Sequence, residues 1–145
     1  MDLVDTVFDV MRQMHQAVDR NLQVADYYGE GLNKSHILTL ITLHARGSGS
    51  MTEIGRRVGL VKGAFSPLAD RLLQLGYIEK TTAPADRRKV ILALTARGEA
   101  YAERIRTESD AAFAANFARL NGREQVDFLR HLHGLSELLA VLNAK

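Results

Sequence analysis

The chain has 145 residues of ordinary globular composition, 46% apolar and 25% charged, and no cysteine, which excludes disulfides, thiolate metal sites and thiol-based redox sensing. It has no 18-residue apolar run, and its acidic start (Met1-Asp2-Leu3-Val4-Asp5) lacks a secretory pattern, so no membrane span is expected and the expected location is cytoplasmic. The net charge of +2 hides a basic middle: residues 46–106 carry twelve Lys/Arg against six Asp/Glu, between mildly acidic ends, the pattern of a polyanion-binding face.

From Val4 to Leu22, apolar residues recur at Val4, Val7, Met11, Met14 and Val18, which predicts a helix with a narrow seam suited to packing on another helix. Asn33-Lys34-Ser35 offers N-cap chemistry to a second, more buried helix through residues 37–43. Gly47-Ser48-Gly49-Ser50 reads as the turn that ends it. Thr52 is placed to cap a short helix to about Val58, and Gly59 supplies a tight turn. A third helix follows to about Leu75 and closes at Gly76. Residues 77–82 and 89–94 read as two strands, joined as a long hairpin by residues 83–88. Thr95 caps a long helix from about Ala96. Asn121, with Glu124 three residues on, opens a last helix through Leu142 with Phe128, Leu129, Leu132, Leu135, Leu138, Leu139 and Leu142 along one broad face.

Residues 51–72 have the pattern of a helix-turn-helix. Ile54, Val58, Leu60, Phe65 and Leu68 fill the places where two such helices face each other and the core; Gly55 permits close approach, and Gly59 tolerates positive φ in the turn. The second helix of such a unit lies in the major groove of duplex DNA, which puts Lys62, Gly63, Ala64 and Ser66 on or near its leading face. Lys62 suits a phosphate or a guanine edge, Ser66 a phosphate or a base, and Gly63 leaves room for the backbone to approach. Asp86-Arg87-Arg88-Lys89 adds three cations at the hairpin tip, chemistry suited to the negative potential of a narrow minor groove. Asp86 is placed to orient a neighbouring arginine by a charge-assisted bond.

From Leu38 to about Gly98 the sequence resembles the MarR family of transcriptional regulators. The resemblance is carried by Leu72-Leu73-Gln74-Leu75-Gly76-Tyr77-Ile78, then Asp86-Arg87-Arg88, then Leu94-Thr95-Ala96-Arg97-Gly98. It implies a mainly α fold with a small β-hairpin wing: a winged helix-turn-helix core over residues 33–98, and helical dimerisation regions at residues 1–30 and 99–145. It implies that Arg88 is the wing arginine that enters the minor groove, with Asp86 as its partner, and that Arg71 lies near the DNA backbone or the wing base. It also implies a homodimer on a pseudo-palindromic operator in double-stranded DNA, usually a repressor released by a small-molecule effector. One departure stands out. Pro67 occupies a position in the recognition helix where the family commonly has a polar or basic residue, and proline in a regular helix interior costs about 3 kcal/mol. Either the helix starts late, near Ala64, with Pro67 in its first turn, or it is kinked and Gly63 supplies the slack. A degenerate winged-helix dimer that acts through protein contacts, with lost or altered DNA binding, is the alternative reading.

The seam of the first helix and the leucine face of the last exceed what a small winged-helix core needs, and a dimer interface is expected there. Met11, Met14, Tyr27 and Tyr28 are candidates to line an effector pocket, with plain packing as the alternative. His131 and His133 point to nearly opposite sides of one helix, and His15, His36 and His44 lack close ligand spacing, so no metal site or cofactor is expected. No nucleophile–base arrangement, phosphate-binding glycine loop or metal quartet is apparent, and no enzymatic activity is expected.

Overall fold

A computed structural model describes residues 2–22 and 29–144; Tyr27 and Tyr28 therefore lie outside the described residues. In chain order the elements are α1 (Leu3–Leu22), a 3-10 turn (Gly29–Gly31), α2 (Lys34–Arg46), β1 (Ser48–Ser50), α3 (Met51–Arg57), α4 (Lys62–Gln74), β2 (Ile78–Ala83), β3 (Asp86–Leu94), α5 (Ala96–Phe117) and α6 (Gly122–Asn143). They fall into two units, Met1–Ser109 and Asp110–Lys145.

Side-chain chemistry sets the helix starts. Asn33 caps α2 in a reciprocal box: its Oδ1 accepts from the Ser35 and His36 amides, and His36 Nδ1 accepts the Asn33 N–H at 3.0 Å. Asn121 and Glu124 build the same kind of box at α6, as their spacing predicts. Ser50, rather than Thr52, caps α3, with its Oγ accepting the Glu53 N–H at 3.2 Å. The helix starts earlier than expected because Ser50 is the last residue of a strand, already extended as an N-cap must be.

α3 and α4 end alike. Gly59 and Gly76 take up positive φ (76° and 75°), which lets Leu60 N–H reach back to the Gly55 carbonyl and Tyr77 N–H to the Leu72 carbonyl. Each following residue thus turns back over the helix it has just left.

The expected turn at Gly47-Ser48-Gly49-Ser50 contains a third strand. Ser48, Gly49 and Ser50 pair antiparallel with Ala93, Leu92 and Ile91, giving the sheet order β1-β3-β2. A side chain at its centre would have to displace the end of Ile54, since a Cβ on Gly49 would lie 2.6 Å from Ile54 Cδ1. The hairpin is also tighter than expected. β2 and β3 pair out to Ala83 and Asp86, so only Pro84 and Ala85 form the turn, and Arg87 and Arg88 belong to a strand.

The core of the first unit gathers Ile37, Leu40 and Leu43 of α2, Ile54 of α3, Phe65, Ala69 and Leu72 of α4, Ile78 and Leu92 of the sheet, and Ala102 and Ile105 of α5. Ile54, Val58, Phe65 and Leu68 are buried and Leu60 packs against them, as the helix-turn-helix pattern requires. Phe65 anchors the unit: burying such a side chain stabilises by about 1.5–3 kcal/mol. It lies so close to α3 that a Cβ on Gly55 would meet its ring at 3.2 Å. Thr95 opens α5, its Oγ1 accepting the Gly98 N–H at 3.1 Å while donating to the Gly76 carbonyl at 2.6 Å. Gly98 lies against backbone: a Cβ there would fall 1.9 Å from the Tyr77 carbonyl oxygen.

α1 leaves Val4, Val7, Phe8, Met11 and Met14 exposed. In the second unit no residue of α6 is buried, and Phe128, Leu129, Leu132, Leu135, Leu138, Leu139 and Leu142 are all exposed. Phe117 and Phe128 meet edge to face at 5.7 Å, and Gln125 Nε2 donates to the Leu120 carbonyl at 2.9 Å.

Two outcomes are expected. Gly98→Ala forces the methyl into the Tyr77 carbonyl and should destabilise the protein by about 3 kcal/mol, read as a lower denaturant midpoint; an unchanged midpoint would show that this junction yields without cost. His36 is held below its ordinary value of 6.5, first by burial and second by the Arg71 charge. A depressed folded value means stability that is present above the unfolded pKa and lost as pH falls through the folded one. Melting temperature should therefore drop as pH is lowered from ~7 toward ~5, and His36→Gln should flatten that drop. Parallel curves for the two proteins would remove His36 as the cause.

Candidate nucleic-acid interface

α4 begins at Lys62, after an extended Val61 that makes no side-chain cap. The leading N–H groups of the helix are left to solvent or to an anion. Lys62, Gly63 and Ala64 are exposed beside them. Ser66 is half-buried and donates its hydroxyl proton to the Lys62 carbonyl at 3.1 Å, so toward an incoming group it offers lone pairs rather than a proton. The four expected residues of the reading face therefore share one end of α4.

Pro67 is the sixth residue of this helix. The late start near Ala64 is not realised, because α4 begins at Lys62, and the helix runs on through Pro67 to Gln74 as one element. The amide that Pro67 lacks would have bonded the carbonyl of Gly63. Both residues are exposed, so water can reach the oxygen left over.

On the wing, Arg87, Arg88 and Lys89 are exposed along the first turns of β3 pleat. Asp86 orients Arg88 through the backbone: its Oδ1 accepts the Arg88 N–H at 3.0 Å. Among the described residues no carboxylate forms an ion pair with Lys62, Arg87, Arg88 or Lys89. α3 contributes two more cations in its last turn, Arg56 and Arg57, of which Arg57 Nε lies 3.8 Å from Glu53. These two stand side by side in the basic middle of the chain, the one sequence signal that points to them.

Arg71 is placed apart from this cationic set. Its Nη2 donates to the Glu30 carbonyl at 2.5 Å, and its side chain lines an open cleft of about 480 Å³ together with Asn33, Ser35, His36, Ala64 and Pro67. The histidines do not come together: His15 Nδ1 lies 2.9 Å from the Met11 carbonyl, His36 sits in the α2 cap, and His44 lies between Glu99 and Glu103 at 2.7 and 3.0 Å. Among the described residues no group of three or more His, Cys, Asp or Glu is arranged to hold a metal ion, and no helix is long and apolar enough to cross a membrane.

Residues 32–90 match the MarR family. The uncharacterized HTH-type transcriptional regulator YkoM of Bacillus subtilis (strain 168) is 29% identical over 102 residues, which are 70% of this chain and 66% of that protein, just under two thirds of its length. The HTH-type transcriptional repressor YetL of the same organism is 24% identical over 143 residues, 97% of this chain and 83% of that protein. Among solved structures, the transcriptional repressor CouR bound to a 23-mer DNA duplex is 25% identical with a TM-score of 0.71, over 94% of this chain and 91% of that one. The matched segment takes in α2, the helix-turn-helix of α3 and α4, and the wing as far as Val90, and over it the chain is similar to the MarR family.

Proposed function

We propose that this chain is a sequence-specific regulator that binds double-stranded DNA as a homodimer and represses transcription until a small-molecule effector releases it. The observation that carries this reading is the set of cations without carboxylate partners among the described residues, on two elements of the winged helix-turn-helix: Lys62 on α4 and Arg87, Arg88 and Lys89 on β3. A charged surface that served only solubility would be interspersed with acidic partners. α4 enters the major groove by its N-terminal end, where Lys62, Gly63, Ala64 and Ser66 lie. The wing enters the adjacent minor groove, with Arg88 directed by the bond from Asp86 to its amide. Arg56 and Arg57 lie on the first helix of the motif, the one that crosses the phosphate backbone.

The dimer rests on the apolar side chains that α1 and α6 leave in water, exposed apolar faces of the kind that mark interaction sites. Residues 1–30 and 99–145 supply those surfaces. A two-fold dimer presents two copies of α4 to half-sites about one helical turn, or roughly 10 bp, apart. The cleft beside α4, with Arg71 and His36 in its wall, is the effector site in this reading. The continuous α4 favours DNA binding over a degenerate dimer, since Pro67 does not break the helix that must enter the groove.

The test is titration of a duplex selected from random sequence by the wild-type protein, at several salt concentrations. Arg88→Ala should weaken binding about tenfold or more and lower the slope of log K against log salt by about 1 if the guanidinium meets phosphates, with the melting temperature unchanged. Unchanged affinity would take the wing out of the interface. Failure of the wild-type protein to select any duplex would overturn the proposed function.

A further inference from the structure

Glu30 is the one described non-glycine residue with positive φ, at 66°, and Gly31 after it is at 75°. L side chains rarely adopt this conformation, so the surroundings of Glu30 must hold it there. They do so with four bonds to three residues. The Glu30 carbonyl accepts Arg71 Nη2 at 2.5 Å. Its carboxylate accepts the Tyr77 hydroxyl at 2.8 Å and Arg97 Nη2 at 3.1 and 3.4 Å. The Arg97 guanidinium lies over the Tyr77 ring, 4.6 Å from its centroid, and the Tyr77 ring lies 4.8 Å from that of Tyr101.

Those three partners sit at strategic places. Arg71 is on the last turn of α4, Tyr77 is the residue just before β2, and Arg97 is on the first turn of α5. We propose that Glu30 is a positioning residue for DNA binding: a clamp on the end of the recognition helix and the root of the wing, holding the two DNA-reading elements in one fixed relation. The inference rests on the proposed DNA-binding function and adds to it a residue that carries the wrong charge for touching DNA. With its backbone it fixes Arg71, and with its side chain it fixes Tyr77 and Arg97. A displacement of the turn Gly29–Gly31 is thereby felt at α4 and at the wing together.

The sign of the effect separates the clamp from simple electrostatics. Removing a negative charge near a polyanion site strengthens binding, whereas removing a clamp weakens it. The experiment measures affinity for the duplex selected by the wild-type protein, well below every melting temperature. Glu30→Ala should bind about tenfold more weakly with an unchanged salt slope, because no phosphate contact is lost. Glu30→Gln keeps the length of the side chain and an acceptor for Tyr77 and Arg97, and should stay within about twofold of wild type. Equal or tighter binding by Glu30→Ala overturns the clamp. If Glu30→Ala does not fold, Tyr77→Phe, which removes only the phenol oxygen, should weaken binding about threefold, and wild-type affinity in that variant overturns the clamp instead. Absence of any selected duplex for wild type overturns the DNA-binding reading and the clamp's role in it, whereas wild-type binding that Glu30→Ala shares overturns the clamp alone.

Discussion

Every polar group of Tyr77 is committed, and each commitment ties a different element. Its N–H closes α4 on the Leu72 carbonyl, its carbonyl accepts the Thr95 N–H that precedes α5, and its hydroxyl bonds Glu30. The ring is buried, and burial, followed by the bond to Glu30, pushes the phenol above its ordinary range. Gly98 presses on the same carbonyl with no side chain between. The direction in which the wing leaves α4 is therefore set by interior bonds to one residue. Surface cations on α4 and β3 can change without disturbing that direction, which separates the chemistry of recognition from the geometry of presentation.

Local chemistry made much of the fold legible. The caps at Asn33, Thr95 and Asn121 and the glycine ends at Gly59 and Gly76 involve residues within a few positions of each other, and the structure has them where the spacing put them. What escaped is non-local. β1 has the composition of a turn and is a strand only because Leu92 and its neighbours pair with it. The α3 cap moved to Ser50 for the same reason, as the end of that strand. Arg71 is one arginine among many in a basic segment, and its partner is a main-chain carbonyl far back in the sequence. Asp86, whose position in the sequence suits it to a guanidinium, holds the Arg88 amide instead. Glu30 carries no signal at all, since a glutamate with positive φ looks like any other glutamate until its neighbours in space are known.

The exposed side of α4 is poor in groups that read bases. Gly63 has no side chain, Ala64 a methyl, Pro67 a ring without a donor, and the Ser66 proton is used within the helix. Under the proposed function, Lys62 and the wing then supply the affinity, and sequence preference leans on the shape and stiffness of the duplex more than on hydrogen bonds to base edges. Pro67 fits this picture as a residue that fills space in a groove and asks nothing of it.

The short strand β1 divides the wing into two mechanical regimes. At its root, Ile91, Leu92 and Ala93 of β3 are paired on both sides, to β1 and to β2. Beyond Val90 toward the turn, only Asp86 of β3 keeps a register partner, Ala83, and Arg87, Arg88 and Lys89 fall in the irregularity between Thr82 and Ala83. A two-stranded ribbon twists more readily than a three-stranded sheet. Arg87, Arg88 and Lys89 thus ride on the compliant end of a cantilever whose base is stiff. Such a beam keeps its aim while its tip is free to twist, and the elastic work of that twisting is confined to a few residues.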